Sequence, residues 1–516
     1  MKTKHALYCA SGFALALAAI ATSGAPAVAQ KAKDTVRMGF VDPIETVDFY
    51  YDPKPETSFL TRGVYTNLID YNPEAGKFAP MMATSWTQVN DTTLEFKLRS
   101  DVNFHDGAAF SADDVVYTIK WLIDPATKLR FKSNYDWIKN AEKIDATTVR
   151  VISHTPVAHG LARLAVSTPI LPAGAHGAFK DKADFGRKPT GSGPYRATSV
   201  DANSGVVMEK FDGFVMGDVR GKANIGRFEI RPMPEVQTQI AHFIRKEVDL
   251  LNAVPKDQVE AMTANPDVRM TPSQSLAYYY LMFDAAGRSP NKVFKDQRVR
   301  QAVSMAINRE AIVKNILDFG GSVKPIDNVC FKLQQACVYS AKPPAYDLAQ
   351  AKKLLAEAGL AGGFDLEITA QPEVYDLAEV IAGELRKVNI RATVDKRTMG
   401  TYRKKQMDGE LQSLAGIFTS GGLPDASALL NFHFDGGGRD YARDPQMTKG
   451  AEEGERTMDP KARDAIYKSA FDRLNEMNYV LPIANKPTFW LHTKDVKVIP
   501  GSLAPLGGEP TRVQWN

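Results

Sequence analysis

Ser192 sits in Gly191-Ser192-Gly193-Pro194, and a serine flanked by glycines is where a search for a nucleophile begins. An activated serine needs a Gly-x-Ser-x-Gly elbow to lift its hydroxyl clear of the backbone, and the spacing here fits no such elbow. In a Gly-Pro turn the residue reads as structural. The eight histidines are scattered singly, and only His105, beside Asp106, has an adjacent carboxylate. A metal centre or a general base would need further groups at helical or strand spacing, and none accompanies it, so a turn-stabilising role is expected. His-Glu-x-x-His, Cys-x-x-Cys and Walker patterns are missing, and Gly436-Gly437-Gly438 reads as a turn because no strand precedes it. An enzyme, such as a secreted hydrolase, is left only as an alternative.

The elements that position any chemistry begin after an N-terminal leader. Lys2 and Lys4, an apolar segment centred on Phe13 to Ile20, and small residues at Ala27-Val28-Ala29 follow in the order of a secretory signal peptide, residues 1–29, with cleavage after Ala29. The stretch from Ala6 to Ala21 is broken by Ser11 and falls short of the roughly 20 apolar residues of a spanning helix. Cys9 precedes the apolar segment, where a lipid anchor would need its cysteine after it. A soluble periplasmic protein is therefore expected. Removing the leader leaves 62 basic against 60 acidic residues, near-neutrality that argues against nucleic acid as a partner. In an exported chain Cys330 and Cys337 read as a disulfide closing a short loop, since a four-ligand metal site lacks its other ligands nearby. About 490 residues exceed what one hydrophobic core serves, which predicts two or more lobes.

Several elements carry their own start and stop signals. Ser111-Ala112-Asp113-Asp114 is a capping box opening a helix that ends before Pro125. Asp347 caps a helix with Leu348, Ala351, Leu355 and Ala358 on one face, closed by Gly359. Leu366, Ile368 and Ala370 alternate as a strand, Leu377, Ile381 and Leu385 mark a helix, and Ile390, Ala392 and Val394 alternate again. That βαβ unit implies a parallel pair in a sheet covered by helices. Asp459-Pro460 opens a further helix through Ile466, Ala470 and Leu474. The part from Val36 to about Ile230 is richer in strand-like pieces, so the two lobes differ in character.

Four separated stretches carry a resemblance. They are Pro80-Met81-Met82-Ala83-Thr84-Ser85-Trp86 through Phe104-His105-Asp106-Gly107 to Phe110-Ser111-Ala112-Asp113-Asp114-Val115; Pro189-Thr190-Gly191-Ser192-Gly193-Pro194-Tyr195; Phe294-Lys295-Asp296-Gln297-Arg298-Val299-Arg300-Gln301-Ala302; and Tyr346-Asp347-Leu348-Ala349 onward to Gly359. In order, spacing and residue type the chain is similar to the extracytoplasmic solute-binding proteins of ABC importers, in the dipeptide, oligopeptide and nickel family. The resemblance implies a two-lobed α/β fold of the periplasmic-binding-protein, Venus-flytrap kind (type II), with an extra subdomain in lobe I. Its expected division is 30–280 for lobe I, 281–484 for lobe II and 485–516 returning to lobe I, with crossings near Tyr278 to Asp284 and Leu481 to Lys486. It implies a monomer that needs no cofactor and captures a peptide or peptide-like solute by hinge closure for a membrane permease and its ATPase.

In peptide-binding relatives the ligand lies extended between a loop after the first strand and a stretch of lobe II. The matching pieces here are Asp42-Pro43-Ile44-Glu45-Thr46 and Gly416-Ile417-Phe418-Thr419-Ser420 through Asp425. The resemblance thus implies ligand contacts from Ile44, Glu45, Tyr278, Tyr280, Phe418, Thr419, Ser420 and Asp425. Two departures bear on the ligand. Ser420 stands where peptide binders keep the aspartate that holds a free amino terminus, and Gln371-Pro372-Glu373-Val374-Tyr375 lacks the arginine that grips a carboxylate. Asp284 stands where many relatives carry asparagine. The bland readings remain open: Tyr278 and Tyr280 as alternate core rings of a strand, and Asp425 as a helix cap. A nickel-chelate or haem carrier using His433, and a sensor read by a chemoreceptor, are the other functional classes.

Overall fold

The computed structural model describes residues 31–252, 254–318, 320–501 and 508–516. The expected leader, residues 1–29, lies outside the described residues. Local chemistry starts and stops the helices as the sequence predicts. Ser111 accepts from the Asp113 amide and Asp114 returns a bond to the Ser111 amide, opening Ala112–Ile123. Asp347 caps Leu348–Glu357, and Gly359, at φ +79°, ends it with a backbone turn costly for a side chain. Pro460 occupies the first turn of Pro460–Met477, where its missing N–H leaves no bond unmade.

Two sheets organise the chain. The first has seven strands in the order Val268–Ser273, Thr488–Thr493, Leu250–Leu251, Thr35–Phe40, Arg227–Pro232, Gly205–Lys210 and Tyr195–Asp201. Thr35–Phe40 is buried at every residue and pairs in parallel with both neighbours, which explains its apolar character. A separate four-stranded antiparallel sheet, Ala83–Asn90, Thr93–Leu98, Thr148–Ser153 and Ile138–Asp145, packs against Ala112–Ile123 and forms the extra subdomain.

The second sheet has five strands in the order Arg391–Lys396, Asp365–Ala370, Ser413–Thr419, Ala277–Phe283 and Val480–Asn485. Asp365–Ala370 and Arg391–Lys396 run parallel, joined by the helix Tyr375–Arg386, as the βαβ reading requires. Helices cover both faces. Leu281, Phe283, Leu366 and Ile368 pack on one side with Val303, Leu355 and Ile381, and Tyr278, Tyr280, Met282 and Phe418 pack on the other with Leu430, Met447 and Phe471. Each fully buried side chain of this size contributes about 1.5–3 kcal/mol.

The chain changes sheets twice, between Ser273 and Ala277 and between Asn485 and Thr488. The first crossing falls a few residues before the stretch the sequence suggests, because Ala277–Phe283 is already a full strand of the second sheet. Val268–Ser273 pairs antiparallel with Thr488–Thr493, and Ala277–Phe283 with Val480–Asn485. The two crossings therefore continue one antiparallel ribbon, and within it Ser275 Oγ donates to the Lys486 carbonyl and the Lys486 amide to the Ala277 carbonyl. A two-strand connection of this kind lets two rigid bodies turn about it.

Candidate functional site

Val41 to Tyr51 leaves the carboxyl end of the central strand Thr35–Phe40, where ligands of parallel α/β sheets bind. Opposite it, Ser413–Thr419 ends in Ser420-Gly421-Gly422, with both glycines at positive φ. Between these walls Gly421 closes a cavity of about 30 Å³ with Phe49, Ser58, Thr61, Arg62 and Asn67 of the first lobe. That volume holds about one water molecule, and the two lobes meet around it in a seam. The Tyr71 hydroxyl donates to the Leu333 carbonyl at 2.8 Å and the Ala158 amide to the Glu455 carbonyl at 2.8 Å, both across the seam. A roomier cavity of about 720 Å³ is lined by other residues of the first lobe, Phe243, Met262 and Trp515 among them.

The sequence-derived site residues divide by exposure. Glu45 and Thr419 are exposed, and the Thr419 hydroxyl accepts from the Gly421 amide at 3.3 Å. Ser420 Oγ is buried with no hydrogen-bond partner among the described residues, which leaves a polar atom at the seam for an incoming group to satisfy. Ile44 lies in the first lobe's core beside Val36 and Val47. Tyr278 and Tyr280 are each 1% exposed. The Tyr278 ring lies 5.4 Å from Phe418, and Tyr280 reaches Tyr402. Burial pushes both hydroxyls well above their ordinary pKa, and the Tyr278 hydroxyl has no partner among the described residues.

Asp425 is fully buried and gripped by Arg463, Nη1 to Oδ2 at 2.8 Å and Nη2 to Oδ1 at 2.7 Å. Burial alone would raise its pKa, but the Arg463 guanidinium, through its charge and its hydrogen bonds, holds it below the ordinary carboxylate range. The cap role is real too, since Oδ1 accepts from the Ser427 amide at 2.9 Å. Gln371 is also committed, accepting from the Ile417 amide at 2.9 Å and donating to the Tyr402 hydroxyl. Asp284 holds a turn through the amides of Arg288 and Ser289.

His105 and Ser192, read from the sequence as parts of turns, make hydrogen bonds within one. Gly191 donates to His105 Nδ1 and His105 Nε2 meets the Gly193 carbonyl at 3.0 Å, which fixes the tautomer with the proton on Nε2. Ser192 Oγ meets Thr66 Oγ1 inside the same buried turn. His433 is enclosed by Tyr280, Phe418 and Phe432, and burial lowers its pKa to about 3. Among the described residues no cluster of three or more His, Cys, Asp or Glu side chains suits a metal ion. Cys330 and Cys337 are bonded, with Cα atoms 5.8 Å apart.

Sequence reasoning missed several polar groups that carry shifted pKa values or ion pairs. Asp48, 1% exposed, accepts from the amides of Tyr50 and Tyr51 through Oδ1, and burial raises its pKa to about 6. Arg62 and Arg220 converge on Asp70, with Glu509 completing the set. His159 and Arg163 face Asp425, Glu455 and Arg463 from the other lobe. Only the turn-like Asp48 spacing left a local signal.

Comparison with known proteins places these observations. A family model described as bacterial extracellular solute-binding proteins, family 5, matches residues 77–440. The glutathione-binding protein GsiB of Escherichia coli K12 is 26% identical over 495 residues, covering 92% of this chain and 94% of that one. Among solved structures, NikA from Brucella suis in complex with Fe(III)-EDTA superposes with a TM-score of 0.82 at 21% identity, covering 93% of this chain and all of that one. A dipeptide-binding protein from Pseudoalteromonas sp. SM9913 in complex with Met-Leu superposes with a TM-score of 0.71 at 22% identity, again over 93% of this chain and all of that one.

Proposed function

The chain belongs to the bacterial extracellular solute-binding proteins of family 5, and from that membership we propose that it captures a peptide-like solute, poor in free amines, between its two lobes. It is the solute-binding subunit of an ABC importer. Closure brings a ligand into contact with both lobes, and its differential affinity for the closed form is what shifts the hinge. In the periplasm, after the leader is removed behind Ala29, the closed form engages a membrane permease that works with an ATPase. The protein performs no chemistry on its ligand.

The observation that carries the ligand reading is the Asp425–Arg463 pair. A carboxylate already gripped by two charge-assisted bonds has little left to offer an ammonium group. Ser420 supplies a hydroxyl without charge, and Glu45 is free but exposed. The contacts assigned to the ligand are Glu45, Thr419 and Ser420, with Ile44, Tyr278, Tyr280, Phe418 and Asp425 forming the wall behind them. Glutathione is the solute named for one relative and Met-Leu for another, so small peptides are the class to try first, each in free and N-acylated form.

Native mass spectrometry of gently purified mature protein tests the reading. A co-purified small peptide-like solute, released unchanged on denaturation, is the expected result. A ligand returned chemically altered, or a protein that stays bare across a library of acylated, cyclic and free peptides, overturns it.

A further inference from the structure

The seam between the lobes holds one charge set that capture alone does not require. The helix Gly160–Val166 of the first lobe starts at His159, and its next turn carries Arg163. Facing them from the second lobe are Asp425, Glu455 on the helix Pro445–Arg456, and Arg463 on the helix Pro460–Met477. Arg456, Asn431, Tyr467 and Tyr71 complete the groups around these acids. His159 Nε2 lies 3.5 Å from Glu455 Oε1, and the preceding Ala158 amide donates to the Glu455 carbonyl at 2.8 Å, so backbone and side chain meet the same residue of the other lobe.

With His159 neutral, Arg163 and Arg463 already answer Asp425 and Glu455, and Arg456 adds a further, exposed cation beside Glu455, so no acid is left for another buried positive charge. A proton on His159 would leave one buried charge unanswered. Three physical features oppose that proton. His159 is 2% exposed, it sits at the positive end of a helix, and two guanidinium groups face it. Asp425 pulls the other way, but Arg463 already holds it, and Glu455 at 3.5 Å makes only a weak contact while engaged with Asn431. The balance holds the imidazole neutral down to about pH 3, with burial the largest cause. Glu455 and Arg463 belong to the other lobe, so opening withdraws that part of the ring's cover, and a histidine in water titrates near about 6.5.

We propose that the two lobes close around an uncharged His159, so that closure sheds a proton and loosens as the medium is acidified. The inference rests on the hinge-closure reading and adds to it a response to external acidity. The sign follows from linkage: a group whose pKa is lower in the closed form favours closure above its open-form pKa and opposes it below. Between pH 7.5 and 5.5 the closed-to-open ratio should fall about tenfold for one such proton.

Small-angle X-ray scattering of the unliganded mature protein at those two pH values reads the ratio directly, and calorimetry with reduced glutathione as the probe reads its effect on capture. The expected result is a larger radius of gyration at pH 5.5, a probe affinity about tenfold weaker, and neither change in His159→Gln. Scattering that is independent of pH in the wild type, or an equal response in His159→Gln, overturns the proposal. If glutathione fails to bind at either pH, the choice of solute is wrong while the scattering arm still judges the clasp. Should His159→Gln misfold, the wild-type imidazole followed by NMR decides: a ring titrating near 6.5 in the closed protein defeats the idea, and one neutral to below pH 5 supports it.

Discussion

Arg463 and Asp425, 38 residues apart in sequence, meet in two parallel hydrogen bonds of 2.8 and 2.7 Å at the seam, with side-chain exposures of 6% and 0%. The pair converts the acid nearest the candidate ligand loop into a strut between that loop and the helix Pro460–Met477.

Truncating Arg463→Ala should therefore destabilise the protein by about 3–5 kcal/mol, because it strands a buried carboxylate. Asp425→Asn combined with Arg463→Met should recover much of that loss. The pH sign is set by the depressed carboxyl. The pair's stabilisation is full above the unfolded pKa of about 3.9 and disappears as pH falls through the lower folded value. Urea denaturation of the variants at pH 7 and at stepwise lower pH measures both effects.

How far such a pair can be read from sequence shows where local rules end. The capping box at Ser111 and Asp114, the Asp347 and Gly359 ends, and Pro460 are legible because each is satisfied within a few residues of itself. The βαβ unit is legible because its periods change from 2 to 3.6 and back. Tyr278 and Tyr280 are half legible. Alternation places them on one face, but helices cover both faces of that sheet, so period alone cannot separate a core ring from a cleft ring. Arg463, His159 and Glu455 leave no signal, since each is an ordinary polar residue on or beside a helix until tertiary packing brings the others to it.

Gly191 and Gly193 have a sharper requirement. A Cβ on Gly191 would lie 1.9 Å from the Val64 carbonyl oxygen, and one on Gly193 2.3 Å from that of Gly63. These are backbone atoms at the end of the helix Pro55–Val64 and have no rotamer by which to yield. Gly191→Ala should cost at least about 1–3 kcal/mol by overpacking, whereas Ser192→Ala should cost about 1–2 kcal/mol through one lost buried hydrogen bond. Thermal melts of the two variants rank them, and equal losses would show that the turn gives way.

Cys330 and Cys337 close a loop seven residues apart, whose carbonyls and side chains support Asp425 through Gln334 and Gln335. By the chain-entropy estimate the bond contributes about 2–3 kcal/mol. Reduced protein should stay folded but melt earlier. Intact mass with alkylation before and after reduction should count no free thiols in the exported protein and two after reduction, and two beforehand would refute the pairing in the cell.

Ser420 offers the test of selectivity. Its hydroxyl lacks a partner among the described residues and stands at the seam, next to the loop that lines the cavity with Gly421. A serine can accept a hydrogen bond from an ammonium group, but it supplies no charge, and charge-assisted bonds are about twice as strong as neutral ones. The free-amine contribution should therefore be smaller by about 1–2 kcal/mol than an aspartate would give. Asp425 does not make up the difference, because Arg463 holds it. Ser420→Asp should favour a free peptide over its N-acetylated counterpart by about tenfold relative to wild type, equivalent to roughly 1.4 kcal/mol. Calorimetric titration of both proteins with one matched pair decides it. A wild type that already prefers the free amine strongly, or a ratio unmoved by the substitution, removes Ser420 from the site and leaves it as the residue that turns the chain into Gly421-Gly422.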